Sequence, residues 1–254
     1  MKECRVIIVT GAAAGIGSAI VDTLLASPTS RLLLVDINEE PLKTRHASSG
    51  SDRVQYVVGD VSEPETNNRA VEAAIGKWGR LDALALNAGV LAPVHRLEGS
   101  NAADWTRIFG INVVSQVAML SVAIPYLRQS KGRVIVTSSN AGLKPSFAAW
   151  GAYGATKAAL NYLVKVLTLE EPDIIAVGLF PGVVDTPLVH HILGGKYSAG
   201  MTEDELVAYK DWALPRLVKP TQPGSVIGKL ALKADEKLRG KILYWDDEKF
   251  AEYR

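Results

Sequence analysis

Short runs rich in Val, Ile and Leu alternate with longer segments of helical periodicity along most of the chain. The runs fall at 5–10, 31–36, 54–59, 81–87, 132–138, 174–180 and 240–245, and most are apolar throughout rather than at every second position. Strands covered by helices on both faces have that pattern. Helical spacing of apolar residues predicts helices near 15–26, 63–78, 102–130, 150–169 and 223–235, with a weaker one near 39–46. Alternation of this kind implies right-handed crossovers, and so predicts a doubly wound (Rossmann) α/β fold: a single domain over 1–254 whose seven-stranded parallel sheet is flanked by helices.

The rhythm breaks after the strand at 174–180. Residues 181–222 hold Pro181-Gly182, Pro187, Gly194-Gly195, Gly200, Pro215 and Pro220, with one short helix at about 203–214. A long insertion between two strands of a compact fold reads as a lid over a substrate site, placed at about 187–220.

Composition excludes several classes. Of the 254 residues 48% are hydrophobic, enough for one well-buried core. Lys+Arg 28 balance Asp+Glu 27, which leaves no electrostatic footprint for nucleic acid. A lone Cys4 forms no internal disulfide, as expected in a reducing, cytoplasmic setting. No apolar run approaches the roughly 18 residues of a spanning helix, so no membrane partner is expected. Val6–Val9 is too short for a secretory signal and reads as the first strand. His46, His95, His190 and His191 lack ligand spacing, and no metal is expected; His190-His191 is placed in a loop.

The chemistry gathers where strands end. Strand 5–10 runs into Thr10-Gly11-Ala12-Ala13-Ala14-Gly15-Ile16-Gly17, and a helical pattern starts at once. Such a turn lets backbone approach a pyrophosphate, whose charge suits the helix N-terminus. The second strand ends in Asp36, about 20 residues on, where a carboxylate accepts from ribose hydroxyls. It would repel the 2′-phosphate of NADP, and no basic side chain in the glycine loop offsets that, so NAD(H) is favoured narrowly over NADP(H). The competing role for Asp36 is capping the helix that begins at Glu39. The third strand leads into Asp60-Val61, and the fourth into Asn87-Ala88-Gly89. The carboxyl edge of an open α/β sheet is where ligands bind.

Tyr153 and Lys157 stand four residues apart in a helical pattern, about 5–6 Å apart at Cβ. An ammonium held there would lower the tyrosine pKa from about 10 toward neutrality and fit it for proton transfer. Strand 132–138 delivers Thr137-Ser138-Ser139-Asn140, hydroxyls able to hold a substrate oxygen. Asn112 is an amide in an apolar helix, by itself most simply structural.

Taken together these motifs resemble the short-chain dehydrogenase/reductase family, over almost the whole chain: TGAAAGIG at 10–17, Asp60-Val61, Asn87-Ala88-Gly89, Asn112, the serine pair at 138–139, YGATK at 153–157 and PGVVDT at 181–186. The resemblance implies a hydride transfer between a nicotinamide cofactor and a ketone or diketone and its alcohol. Tyr153 would be the general acid/base, and Lys157 would bind the nicotinamide ribose and tune Tyr153. Ser139 would orient the carbonyl, and Asn112 would help hold a water in a proton relay. Val184 and Thr186 would hold the carboxamide, with Asn87, Ala88 and Gly89 packed beside the cofactor. Trp150, the PGVVDT stretch and the ending Ile242-Leu243-Tyr244-Trp245-Asp246-Asp247 are similar to the sepiapterin reductase and fungal benzil reductase branch, whose members are similar to NADPH-dependent reductases.

Two departures stand out. Leu86 replaces the first asparagine of the usual fourth-strand motif, which favours a packing role there. Ser139 precedes Tyr153 by fourteen positions where thirteen is common; Asn140 falls at thirteen, but the run Ser139–Gly142 matches the family's and Ser139 is kept. Val90–His95, Leu143–Trp150 and the segment 187–212, with Tyr197 and Met201, are expected to wall a pocket for a small, uncharged, aromatic ketone or diketone, with Trp150 at the substrate. Helices 102–130 and 150–169 resemble the pair through which family members dimerise, with apolar side chains including Leu160 and Leu167 exposed, so a homodimer or homotetramer is expected. Two other readings are a non-catalytic cofactor-binding regulator, disfavoured by the presence of Tyr153 and Lys157, and an epimerase or dehydratase, disfavoured by the glycine spacing.

Overall fold

The structure is a computed structural model, and it describes residues 4–91, 94–145, 147–195 and 200–254. Seven strands form one sheet: β1 (Arg5–Thr10), β2 (Ser30–Asp36), β3 (Val54–Val58), β4 (Ala83–Leu86), β5 (Arg133–Thr137), β6 (Ile175–Phe180) and, after two-residue strands β7 (Val183–Val184) and β8 (Leu217–Val218), β9 (Ile242–Tyr244). Their order is β3-β2-β1-β4-β5-β6-β9, with every pair parallel. The direction of winding reverses between β1 and β4, where Ile8 lies beside Leu33 on one side and Leu84 on the other. A crevice opens at the carboxyl ends of strands at such a reversal.

The alternation of side chains along a strand divides the core in two. Ile7 and Val9 of β1, with Leu32 and Leu34 of β2, pack on one face of the sheet against helices α1 (Gly15–Leu25) and, near the C-terminus, α9 (Thr221–Lys233). Val6 and Ile8, with Leu33 and Val35, pack on the other against α3 (Pro64–Trp78), α5 (Ser115–Ser130) and α6 (Gly151–Glu170). Leu86 is buried on this second side, so the departure from the family's asparagine serves packing. Helix α2 (Glu39–Ser49) carries one buried residue, Leu42, which is why its pattern reads weakly.

Several expectations change. The helix at 102–130 is α4 (Ala102–Phe109) continued through a π-turn at Gly110–Val114 into α5. A π-turn adds one residue to a turn without ending the helix, so a coarse reading of apolar spacing runs straight through it. By length and composition the whole stretch Ala102–Ser130 is apolar enough to cross a membrane, contrary to the reading of uninterrupted runs: Ser115, Gln116 and Ser121 break the run without lowering its mean hydropathy enough. Here Ile108, Met119, Ala123 and Leu127 are buried within the fold. Leu160 and Leu167 are buried too, not exposed, because their positions on α6 face the sheet. The large apolar side chains exposed on these helices include Val114, Val117, Tyr162 and Leu169.

The insertion after β6 holds two helices rather than one, α7 (Pro187–Leu193) and α8 (Glu203–Ala213). His190 and His191 lie on α7, not in a loop, and His190 Nε2 meets Asp185 Oδ1 at 2.6 Å. Thr202 and Glu205 close a reciprocal capping box at the start of α8. A second, unforeseen sheet pairs β7 with β8, Val183 opposite Leu217 and Val184 opposite Val218; runs of two residues carry no readable period. Beyond β9, Glu248–Tyr253 forms 3₁₀ turns that bury Phe250 and Tyr253.

Candidate active site

The site begins with the turn after β1. Gly11 and Gly15 have φ of 66° and 53°, the left-handed region that disfavours a Cβ. Helix α1 has no acidic residue in its first turn, and no side chain caps it at Ala14. Its leading N–H groups and positive dipole end therefore suit an anion. A Cβ on Gly17 would lie 1.8 Å from the Gly11 carbonyl oxygen. Gly17 therefore shapes the cradle from behind, by letting α1 lie against the turn.

Asn87 laces three strands together. Its N–H and that of Ala88 donate to Thr10 Oγ1 at 3.0 and 3.1 Å. Its side-chain amide donates to the Thr10 and Gly11 carbonyls at 3.3 Å each, and accepts from Thr137 Oγ1 at 3.2 Å. The ends of β1, β4 and β5 are thereby held in register around a crevice of about 320 Å³. Gly11, Gly15, Ile16 and Asp36 line it from the first two strand–helix units, and Asn87, Ala88 and Gly89 from the fourth strand's end. Tyr153 and Lys157 line it from α6, and Val184 and Thr186 from the foot of the insertion. This shape and donor set fit a dinucleotide.

Asp36 ties the glycine loop to the start of α2. Oδ2 accepts the Ala13 N–H of the glycine loop at 3.0 Å, and Oδ1 accepts the Asn38 N–H at 3.0 Å, at the N-cap position of α2. Each carboxylate oxygen keeps a lone pair for a further donor. Asp60 and Val61 stay outside the crevice lining. Exposed Asp60 accepts both the N–H and the hydroxyl of Ser62 at 2.8 Å, and Val61 is buried in the core.

Serine, tyrosine and lysine converge at the mouth. Successive residues of extended chain point opposite ways: the Ser138 hydroxyl turns inward to Asn161 Oδ1 at 2.6 Å, while Ser139 hydrogen-bonds the Tyr153 phenol and accepts the Ala141 N–H at 3.2 Å. Ser139, rather than Asn140, is the residue bonded to Tyr153. Lys157, on the same face of α6, is buried and donates to the Thr137 carbonyl at 3.0 Å, with Nζ 5.6 Å from the Tyr153 ring centre.

The expected depression of the Tyr153 pKa is not found. Loss of hydration pushes the phenol up to about 12, against a smaller lowering by the Ser139 hydrogen bond. Burial lowers the Lys157 ammonium to about 8. The protein's own groups thus keep Tyr153 in the neutral form that donates a proton.

Asn112 is fully buried in the π-turn. Its amide donates to the Val90 carbonyl at 2.8 Å and to Thr156 Oγ1 at 3.1 Å, and its oxygen accepts the Val90 N–H at 2.8 Å. It ties the loop after β4 to α6. Thr10, Thr137 and Thr156 do work that the sequence reading did not assign; that Thr10 and Thr137 end the strands flanking β4 was the available signal.

Trp150 stands just before α6, edge-on to Tyr153 with centroids 5.8 Å apart. Phe147, Tyr209 and Trp212 complete an aromatic group around it, and Leu91, Val94, Ile192 and Met201 pack in the same cluster. The expected wall residue Tyr197 lies outside the described residues, as do Ala92, Pro93 and Ser146.

The profile of the short chain dehydrogenase family matches residues 5–195. An uncharacterised oxidoreductase of Schizosaccharomyces pombe is 36% identical, over 95% of this chain and 96% of its own. A Saccharomyces cerevisiae protein named benzil reductase ((S)-benzoin forming) is 33% identical over 96% and 97%. The crystal structure of a short chain dehydrogenase/reductase from Saccharomyces cerevisiae, 34% identical, superposes with a TM-score of 0.93 over 98% of this chain and 99% of that one. This chain belongs to the short chain dehydrogenase family and is an oxidoreductase that uses a nicotinamide cofactor.

Proposed function

We propose that the protein reduces small, uncharged ketones and diketones, with Tyr153 as proton donor. The observation that carries this is the convergence of Ser139, neutral Tyr153 and Lys157 beside the glycine-built crevice. A reduced nicotinamide, when bound, supplies the hydride. Ser139 orients the carbonyl oxygen and Tyr153 gives it a proton. Lys157 holds the nicotinamide ribose, while Val184 and Thr186 hold the carboxamide. Asn112 acts through the Val90 loop and Thr156, at the floor beneath the family's water relay.

Asp36 accepts from the adenosine ribose, so NAD(H) is preferred over NADP(H). The segment 187–220 acts as the lid, and its apolar and aromatic side chains select an uncharged aromatic substrate. The benzil reductase relative supports the diketone class. Exposed Val117 on α5, with Tyr162 and Leu169 on α6, supports a homodimer or a tetramer built from it, and we place the protein in the cytoplasm on its single cysteine. Loss of reduced-cofactor absorbance, followed with a panel of diketones and monoketones and either cofactor, tests the reading. Turnover that needs Tyr153 supports it; failure to reduce any carbonyl with either cofactor refutes it.

A further inference from the structure

Helix α6 carries a third polar residue on the face that holds Tyr153 and Lys157. Asn161 follows Lys157 by four positions, as Lys157 follows Tyr153, so the three lie about one turn apart. Each meets one residue of the run that ends β5. Lys157 Nζ donates to the Thr137 carbonyl at 3.0 Å, and the Ser138 hydroxyl donates to Asn161 Oδ1 at 2.6 Å. Ser139 bonds the Tyr153 phenol. The turn that follows lies so close on the helix that a Cβ on Gly142 would stand 2.4 Å from the Lys157 carbonyl carbon. Of the three contacts, only that between Ser138 and Asn161 involves no residue of the reaction centre.

Packing does not explain this pair. Ser138 and Asn161 are 2% and 7% exposed, and Asn161 Nδ2 is buried without a hydrogen-bond partner. A buried donor left unpaired costs stability, whereas apolar side chains of similar shape at both positions would carry no such cost. What a hydrogen bond supplies and an apolar contact lacks is direction. Ser138 is also fixed to the sheet, its N–H donating to the Leu179 carbonyl at 2.9 Å. Ser139 continues the extended backbone, with φ of −155° and ψ of 149°. With the Ser138 side chain held inward, that of Ser139 turns to the opposite side.

We propose that Ser138 and Asn161 are positioning residues, whose hydrogen bond registers the end of β5 on α6 and so aligns the Ser139 hydroxyl with the Tyr153 phenol. The inference rests on the carbonyl-reductase reading of the site. The pair touches neither substrate nor cofactor. It acts through Ser139, by holding the serine and the tyrosine, which stand on different elements, in the one relation that suits a shared carbonyl oxygen.

The test combines Ser138→Ala with Asn161→Leu, which removes both partners together and leaves no unpaired amide. The double variant should melt close to the wild type, because a polar pair is exchanged for an apolar one. With the carbonyl that the wild type turns over fastest, kcat should fall about ten- to a hundredfold, the range that a misplacement of about an ångström costs, while KM stays nearly constant. In a Ser139→Ala background the same two substitutions should lower kcat little further, since the alignment they serve is already gone. If the double variant does not fold, Ser138→Ala alone carries the same expectations in both backgrounds. An unchanged kcat, or an equal fall with and without Ser139, would overturn the proposal and leave the carbonyl-reductase reading intact. A wild type that reduces no carbonyl with either cofactor would overturn both.

Discussion

The Lys157 ammonium donates to the Thr137 carbonyl at 3.0 Å and is buried there, so its charge is tied to the end of β5. Burial lowers it to about 8 from the ordinary 10.5. Between those values the unfolded chain holds a proton that the folded chain has released, so stability rises with pH across this window. Below about 8 both states are protonated and the folded state bears the whole cost, on the order of 1–3 kcal/mol. Lys157→Met should therefore melt higher than wild type at neutral pH, with the gap closing as pH rises from 8 to 10.5. Melting curves across that range check it. Carbonyl reduction by the wild type should decline above about pH 8, and this limb should be absent in Lys157→Arg.

Tyr153→Phe should lower kcat at least about 100-fold, the usual loss on removing a general acid, with little change in cofactor binding. Ser139→Ala should also lower kcat, while Asn140→Ala should leave it nearly unchanged. Steady-state kinetics with one common ketone separate the three, and near-normal turnover in Tyr153→Phe removes that residue from the mechanism.

Cofactor choice is read at Asp36. Because Asp36 also anchors the Ala13 N–H, Asp36→Asn is the cleaner variant, since it keeps an acceptor and removes the charge. Wild type should favour NADH over NADPH by roughly tenfold or more in kcat/KM, the size of a charge-assisted hydrogen bond, and Asp36→Asn should narrow the ratio. A wild type that strongly prefers NADPH would show that Asp36 does not serve the ribose.

Gly17→Ala forces a Cβ onto the Gly11 carbonyl. It should destabilise the protein by about 2–3 kcal/mol, as overpacking of a tight site does. It should also abolish the rise in melting temperature that added dinucleotide gives the wild type.

The sheet and its carboxyl-edge motifs could be read because the inner strands β1, β4, β5 and β6 are buried on both faces and each ligand-facing turn needs glycine, aspartate or asparagine. Reach and direction could not be read. Tyr153 and Lys157 are placed on one face by spacing, yet the lysine turns toward Thr137 and the phenol is raised rather than lowered, since desolvation depends on neighbours distant in sequence. Leu160 and Leu167 follow the helical period, but which face meets the sheet is settled only by tertiary packing. The aromatic cluster had no motif around it; Tyr209 joins it through a ring contact with Trp150, nearly sixty residues earlier in the chain.

The face left by those buried leucines carries its own prediction. Tyr162 and Leu169 are 69% and 83% exposed on α6. Light scattering should show a dimer or tetramer at micromolar concentration, and Tyr162→Asp with Leu169→Asp should yield a monomer of 27.2 kDa. A monomeric wild type would refute the assembly.

The pairing of Val183 with Leu217 and of Val184 with Val218 brings together the two ends of segment 185–216. Departure and return are neighbours, so the main sheet carries no record of what lies between. The entropic cost of lengthening such a closed excursion grows only logarithmically. On the lid role proposed for it, natural variation can exchange this segment as a cassette, changing what sits over the crevice while the sheet beneath it stays as it is.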